Sequence, residues 1–209
     1  MKKACLLILF VLSLYSYAGS SPYLYSNRSY TFTQSKFKKT TFVAKVDGYD
    51  IAYDLYYPDK DNEDNADSVV IYAKKGKMKK VLLSKSLDAL ELTEVSVKYF
   101  YNQPFIYFAT GTFHGDIYGE IYSFNTSLIR AERIDELPLR FSKKAPKGYY
   151  QNKNYGIRIE ENDRIFDGII YRNDDNGDLS YTIDVEYKMV KIGNRYKLNP
   201  IKQTVSNYR

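Results

Sequence analysis

The sequence predicts a mainly β protein, with antiparallel strands and hairpins forming a sandwich, barrel or meander and one or two short helices. Three observations carry this. The chain holds 23 Tyr and 11 Phe but no Trp, and Tyr and Phe suit pleated, half-buried surfaces. Alternation of apolar and polar residues with period two recurs along the chain. Gly- and Asn-containing turn pairs punctuate it at short intervals.

Taken in order, the chain opens on Lys2 and Lys3, then an apolar stretch from Ala4 to Leu14, then Ser16-Tyr17-Ala18 before Gly19. A positive start, a compact apolar run and small residues at the −3 and −1 positions make a cleavable secretory signal peptide over residues 1–18. The run is too short to span a bilayer as a stable helix. Export to the periplasm or beyond is expected, with no transmembrane helix after cleavage. Cys5 is the only cysteine and leaves with the leader. The mature chain therefore has neither a disulfide nor a lipid-bearing Cys, and its core alone must hold it together. Cleavage takes two lysines from a net charge of +6, leaving +4. That falls short of the dense basic face of a nucleic-acid binder, so no nucleic-acid partner is expected.

Residues 19–209 read as a single β-rich domain. The clearest strand is Leu179–Lys191, with Leu179, Tyr181, Ile183, Val185, Tyr187 and Met189 on one face and Ser180, Thr182, Asp184, Glu186 and Lys188 on the other. Such a segment has one buried and one wet face, as in antiparallel sheets. Tyr49–Tyr57 and Val95–Tyr101 alternate in the same way. Shorter candidates are Tyr30–Thr33, Phe37–Val46, Val69–Lys74, Lys79–Ser84, Phe105–Thr112, Ile117–Phe124, Tyr155–Glu160, Ile165–Tyr171 and Arg195–Leu198. Asp47-Gly48, Lys75-Gly76, Asn102-Gln103-Pro104, Asn176-Gly177 and Gly193-Asn194 supply turns. Lys85–Glu94 and Ser127–Leu137 mix charged and Leu-type residues without alternation and are the expected short helices. Pro138–Tyr150, with Pro138, Pro146 and Gly148, is loop-like and a candidate sub-division.

The mature chain has one His and no Cys. It has no thiol nucleophile, a Ser-His-Asp arrangement could use only His114, and a zinc site would rest almost wholly on carboxylates. Neither a nucleophile elbow nor a phosphate-binding or dinucleotide glycine loop is present. No catalytic residue, metal or cofactor is expected. The segment from Phe113 to Tyr122 is the most unusual. As one strand it would put His114, Asp116, Tyr118, Glu120 and Tyr122 on a common face. That polar-aromatic stripe is the candidate binding site, because tyrosine rings offer flat apolar area and carboxylates accept from ligand hydroxyls. As a hairpin tipped by His114-Gly115-Asp116, the stripe shrinks to Tyr118, Glu120 and Tyr122.

Paired carboxylates suited to glycoside hydrolysis are Asp116 with Glu120, Asp163 with Asp167, and Asp184 with Glu186. The acidic loops Asp59–Asp67 and Asn173–Asp178 depart from the calcium-loop template and read as solvated loops. Lysine runs at 36–39, 74–80 and 143–147 either draw an anionic partner or guard β-edges against pairing with other chains. Three functions follow. The leading expectation is an exported non-enzymatic β-domain that binds a protein or glycan partner in an inhibitor, immunity or surface-recognition role. The alternatives are a small outer-membrane β-barrel and a glycan hydrolase using paired carboxylates.

Overall fold

The structure is a computed structural model describing residues 37–58, 66–87, 90–112, 115–137, 149–173 and 180–208. The expected leader, the expected strand Tyr30–Thr33, Leu179, most of Pro138–Tyr150 and both acidic loops except their ends lie outside the described residues. The described strands belong to one compact unit.

They form three sheets, each built on a four-stranded up-and-down meander. The N-terminal sheet runs β1 (Phe37–Val46), β2 (Tyr49–Tyr57), β3 (Ser68–Lys75) and β4 (Met78–Ser86). The middle sheet runs β5 (Glu91–Phe100), β6 (Gln103–Gly111), β7 (Ile117–Asn125) and β8 (Arg130–Arg133). The chain then crosses through β9 (Asp135–Glu136) to the C-terminal sheet, ordered β10 (Tyr149–Ile159), β11 (Ile165–Asn173), β12 (Ser180–Ile192), β13 (Arg195–Tyr208) and β9. All pairings are antiparallel except the short β9–β13 contact. Each meander is open at its edge strands, so among the described residues the strands stack as layers and do not close into a barrel.

The middle sheet is the filling of a three-layer stack. Along β6, Phe105, Tyr107 and Ala109 join a core with Ile165, Val185, Tyr187, Met189 and Leu198 of the C-terminal sheet. The alternate residues Ile106 and Phe108 join a second core with Val46, Ile51, Val69, Ile71 and Ala73 of the N-terminal sheet. Burial on both faces explains why Phe105–Thr112 is a nearly continuous apolar run, as strands covered on both sides are. β12 follows its alternation from Ile183 onward, with Ile183, Val185, Tyr187 and Met189 buried, while Thr182, expected on the wet face, is buried as well.

The turns follow backbone chemistry. Asp47 and Gly48 both have positive φ (48° and 80°) between the paired Val46 and Tyr49, the two-residue hairpin geometry that Asp-Gly favours. The turn after β5 differs from expectation: it is Tyr101-Asn102, with Gln103 and Pro104 already in β6. Pro104 is tolerated because β7 pairs with β6 only from Phe105 onward, so no ladder bond to β7 needs its missing N–H.

Both expected helices are corrected. Lys85 and Ser86 end β4, Leu87 plugs the core, and Glu91 begins β5. Ser127 lies in the turn before β8, and Ala131 and Ile134 pack into different cores, which holds the segment extended. The helix found among the described residues is one 3-10 turn at Glu161–Asp163. No helix among the described residues is long and apolar enough to cross a membrane.

Candidate functional site

The tyrosine-carboxylate stripe is divided by the fold. The connection from Thr112 to Asp116 closes a hairpin: Thr112 N–H donates to the Asp116 carbonyl at 2.9 Å, and Gly115 has φ 84°. Asp116 sits in this connection, with its own N–H donating to the Thr112 hydroxyl at 3.2 Å. His114 lies outside the described residues. Tyr118, Glu120 and Tyr122 are on β7, and the structure brings the last two together. Tyr122 donates its phenol to Glu120 at 2.7 Å. Glu120 is also bridged by Lys85 of β4 at 2.9 Å and by Arg133 of β8 at 3.2 Å. Burial pushes the Glu120 carboxyl up, but the Lys85 hydrogen bond and charge, with help from Tyr122 and Arg133, hold it below its ordinary value. Burial, the Glu120 charge and the bond to Glu120 push the Tyr122 phenol well up. Tyr122 belongs to the core between the N-terminal and middle sheets. The cluster thus ties those two layers together through a polar centre.

Asp54, Asp184 and Glu186 are also engaged. Asp54 is fully buried, accepting from Thr40 at 2.7 Å, Tyr72 at 3.1 Å and Lys79 at 2.9 Å. Its burial penalty is outweighed by these bonds and the Lys79 charge, so its carboxyl is lowered. Asp184 accepts from Arg158 at 2.8 Å. Glu186 takes a two-pronged contact from Arg164, with Nε and Nη2 each at 3.1 Å, and this bond lowers its carboxyl. Asp167 points to the buried side of β11 while Asp163 is exposed on the 3-10 turn. The carboxyls that shift move down, opposite to what a general acid needs. No group of three metal-ligating side chains is found among the described residues.

The lysine run at 74–80 forms the β3–β4 hairpin tip and edge. Lys79 serves Asp54, Lys80 donates to the Leu128 carbonyl at 2.9 Å, and Lys75 lies 5.0 Å from the Tyr49 ring centre. These three lysines are thus engaged within the chain. A basic cleft of about 390 Å³ lies at β8 and the β12–β13 turn. There Arg130 pairs with Glu132, Lys197 with Asp135, and Arg133 with Glu120.

A more open site appears where the middle and C-terminal sheets meet. β12 runs past the end of β11: Tyr187 is the last β12 residue paired with β11, while Lys188 to Ile192 pair only with β13. Opposite Glu186 and Tyr187, β13 carries a bulge that leaves Ile201 out of register and about half exposed. Into this step projects the β5–β6 turn. A groove of about 300 Å³ results, lined by Tyr99, Tyr101, Arg164, Glu186, Lys188 and Ile201 among others. Tyr101 has φ 52° and Asn102 φ 60°, and left-handed backbone is costly for a bulky aromatic residue. The Tyr101 phenol donates to the Met189 carbonyl on the overhanging β12 at 2.9 Å, holding the turn against the C-terminal sheet. Across the groove, Asn162 and Asp163 also have positive φ, 60° and 58°. Phe100 anchors the turn from beneath, edge-on to Phe105 at 5.4 Å, and Phe105 is edge-on to Tyr196 at 5.0 Å.

Sequence reasoning missed Tyr101, Arg164 and Ile201. One local signal was present: Tyr101 precedes Asn102 at a hairpin tip, where a small residue is the usual choice. No protein-family model matches the chain, and a search of curated proteins returns no match.

Proposed function

We propose that the chain is an exported, non-enzymatic β-domain that recognises a protein or glycan partner in the periplasm or outside the cell. Export rests on the signal pattern of residues 1–18. Recognition rests chiefly on Tyr101. Strained backbone is retained where the surroundings over-determine it, and such positions cluster at binding sites. Here an aromatic residue accepts left-handed backbone, is tied by its hydroxyl to another sheet, and still leaves 62% of its surface exposed beside Tyr99. Tyrosines held this way give large contact area at low entropic cost. Among the described carboxylates that shift, none is raised as the general acid of glycoside hydrolysis needs.

The test is a photo-cross-linking residue placed at Tyr99 in producing cells, with Phe42 on β1 as the comparison site. The expected result is a specific adduct from position 99, on a protein that begins at Gly19 and lies outside the cytoplasm. Adducts from Phe42 alone, or a protein retaining Met1 in the cytoplasm, would count against the proposal.

A further inference from the structure

We infer that the groove between the β5–β6 turn and the β12 overhang takes a neutral sugar ring of a glycan. This rests on the recognition reading above and names its ligand class. The charges lining the groove balance: Arg164 and Lys188 face Asp163 and Glu186. Arg164 and Glu186 are locked together at 3.1 Å through both guanidinium contacts. A site of this kind sets up no net field to select an ion. It does present hydrogen-bonding groups of both senses. Glu186 has carboxylate lone pairs beyond those Arg164 uses, Asp163 adds acceptors, and Lys188 adds donors. Sugar hydroxyls both donate and accept, so they can use all of these.

The apolar side of the groove fits the same ligand. Tyr99 is 51% exposed and Ile201 is 49% exposed, and together with Tyr101 they offer flat apolar surface to the C–H face of a ring. The volume of about 300 Å³ is at the small end of ligand sites, enough for roughly one or two rings. An extended peptide is less suited. The Met189 carbonyl, on the part of β12 that lacks a β11 neighbour, already accepts from Tyr101. A pairing strand would have to displace that phenol.

The experiment is an NMR titration of the protein, as the producing cell delivers it, with neutral hexasaccharides of glucose, galactose and N-acetylglucosamine. A sulfated hexasaccharide and a random peptide mixture serve as competing probes. The expected result is that at least one neutral hexasaccharide shifts amides at 99–103, 163–165 and 186–189. Tyr99→Ala should weaken that binding at least about tenfold, the size expected for losing an exposed aromatic anchor. Phe42→Ala, on the outer sheet, should leave it unchanged, and the spectra report directly that each variant is folded. The inference is overturned if no neutral saccharide perturbs these amides, if Tyr99→Ala binds as well as the parent, or if only the sulfated probe binds. Peptide binding at the groove, lost in Tyr99→Ala, would overturn the sugar ligand and leave the recognition reading standing. A groove silent to every probe, together with no adduct from position 99 in cells, would remove both.

Discussion

The two interfaces of the middle sheet are built by different means. Against the N-terminal sheet, side chains fill the gap: Ile106, Phe108, Tyr122 and Phe124 meet Ile51, Val69, Ile71 and Ala73. The polar cluster of Glu120, Lys85 and Arg133 closes one part of that interface. Against the C-terminal sheet, part of the contact is made by backbone. A Cβ on Gly119 of β7 would lie 1.7 Å from the Ile157 carbonyl oxygen of β10, and one on Gly156 would lie 2.4 Å from the Ile117 carbonyl oxygen. The Tyr107 phenol donates to that same Ile157 carbonyl at 2.9 Å, and burial pushes the phenol up to about 12. A gap filled by side chains can be trimmed by degrees. A gap of backbone thickness cannot be widened by one carbon without moving a strand. The groove lies on this second, less forgiving interface.

The sharpest break should come from Gly119→Ala. The added methyl meets rigid backbone, so β7 and β10 must separate, at about 3–5 kcal/mol. Thermal unfolding should drop by roughly 10 °C, and a melting curve unchanged from the parent would refute the close approach.

Glu120→Gln tests the polar part of the first interface. It leaves Lys85 and Arg133 facing a neutral partner and should cost about 1–3 kcal/mol in urea unfolding. The parent should show a matching acid dependence. A carboxyl lowered in the folded state adds stability that is fully present above its ordinary value of 4.5 and is lost as pH falls through the lowered value. Glu120→Gln should flatten that part of the curve, and an equal acid slope in both proteins would contradict the assignment.

Tyr107→Phe removes the donor to the Ile157 carbonyl and leaves that acceptor buried, at about 1–2 kcal/mol. Ile106→Val, on the opposite face of β6, should cost about 0.5–1.5 kcal/mol. If the valine variant proved as damaging as Gly119→Ala, the contrast between the interfaces would fail. Tyr101→Phe should change global stability least, by under about 1 kcal/mol, because its ring is largely exposed. Its effect should appear locally, as faster hydrogen exchange at the β5–β6 turn.

Much of the strand content was legible in the sequence. Phe37–Val46 and Tyr49–Tyr57 match β1 and β2 to the residue, because alternation and an Asp-Gly turn agree locally. The buried face of β12 from Ile183 to Met189 was legible for the same reason. The layering was not. The run Phe105–Thr112 carries the mark of a strand covered on both sides, but a short apolar run does not name its partners. The two helix expectations failed because Lys85–Glu94 and Ser127–Leu137 are crossings between layers, where single residues such as Leu87 and Ile134 plug separate cores and no face repeats. Gly119 inside a strand pattern was a sign of close backbone approach, though its partner Ile157 is distant in sequence. The hairpin form of the stripe was legible from Gly115 and Asp116, whereas the docking of Glu120 and Tyr122 against the N-terminal sheet was not. The groove depends on β12 outrunning β11 and on a bulge at Ile201, and pairing lengths of that kind are set by tertiary register.

The central claim is that the groove is a preformed surface, held by the same interface that holds the middle sheet. Native-state hydrogen exchange measures this directly. The amides of Phe105 to Gly111 are expected to exchange only on global unfolding, with Gln103 and Val190 beside the Tyr101 tether, both bonded within their hairpins, protected to nearly the same degree. Fast exchange at Gln103 and Val190 alongside a protected β6 would show a turn that opens independently of the core, and would contradict the account.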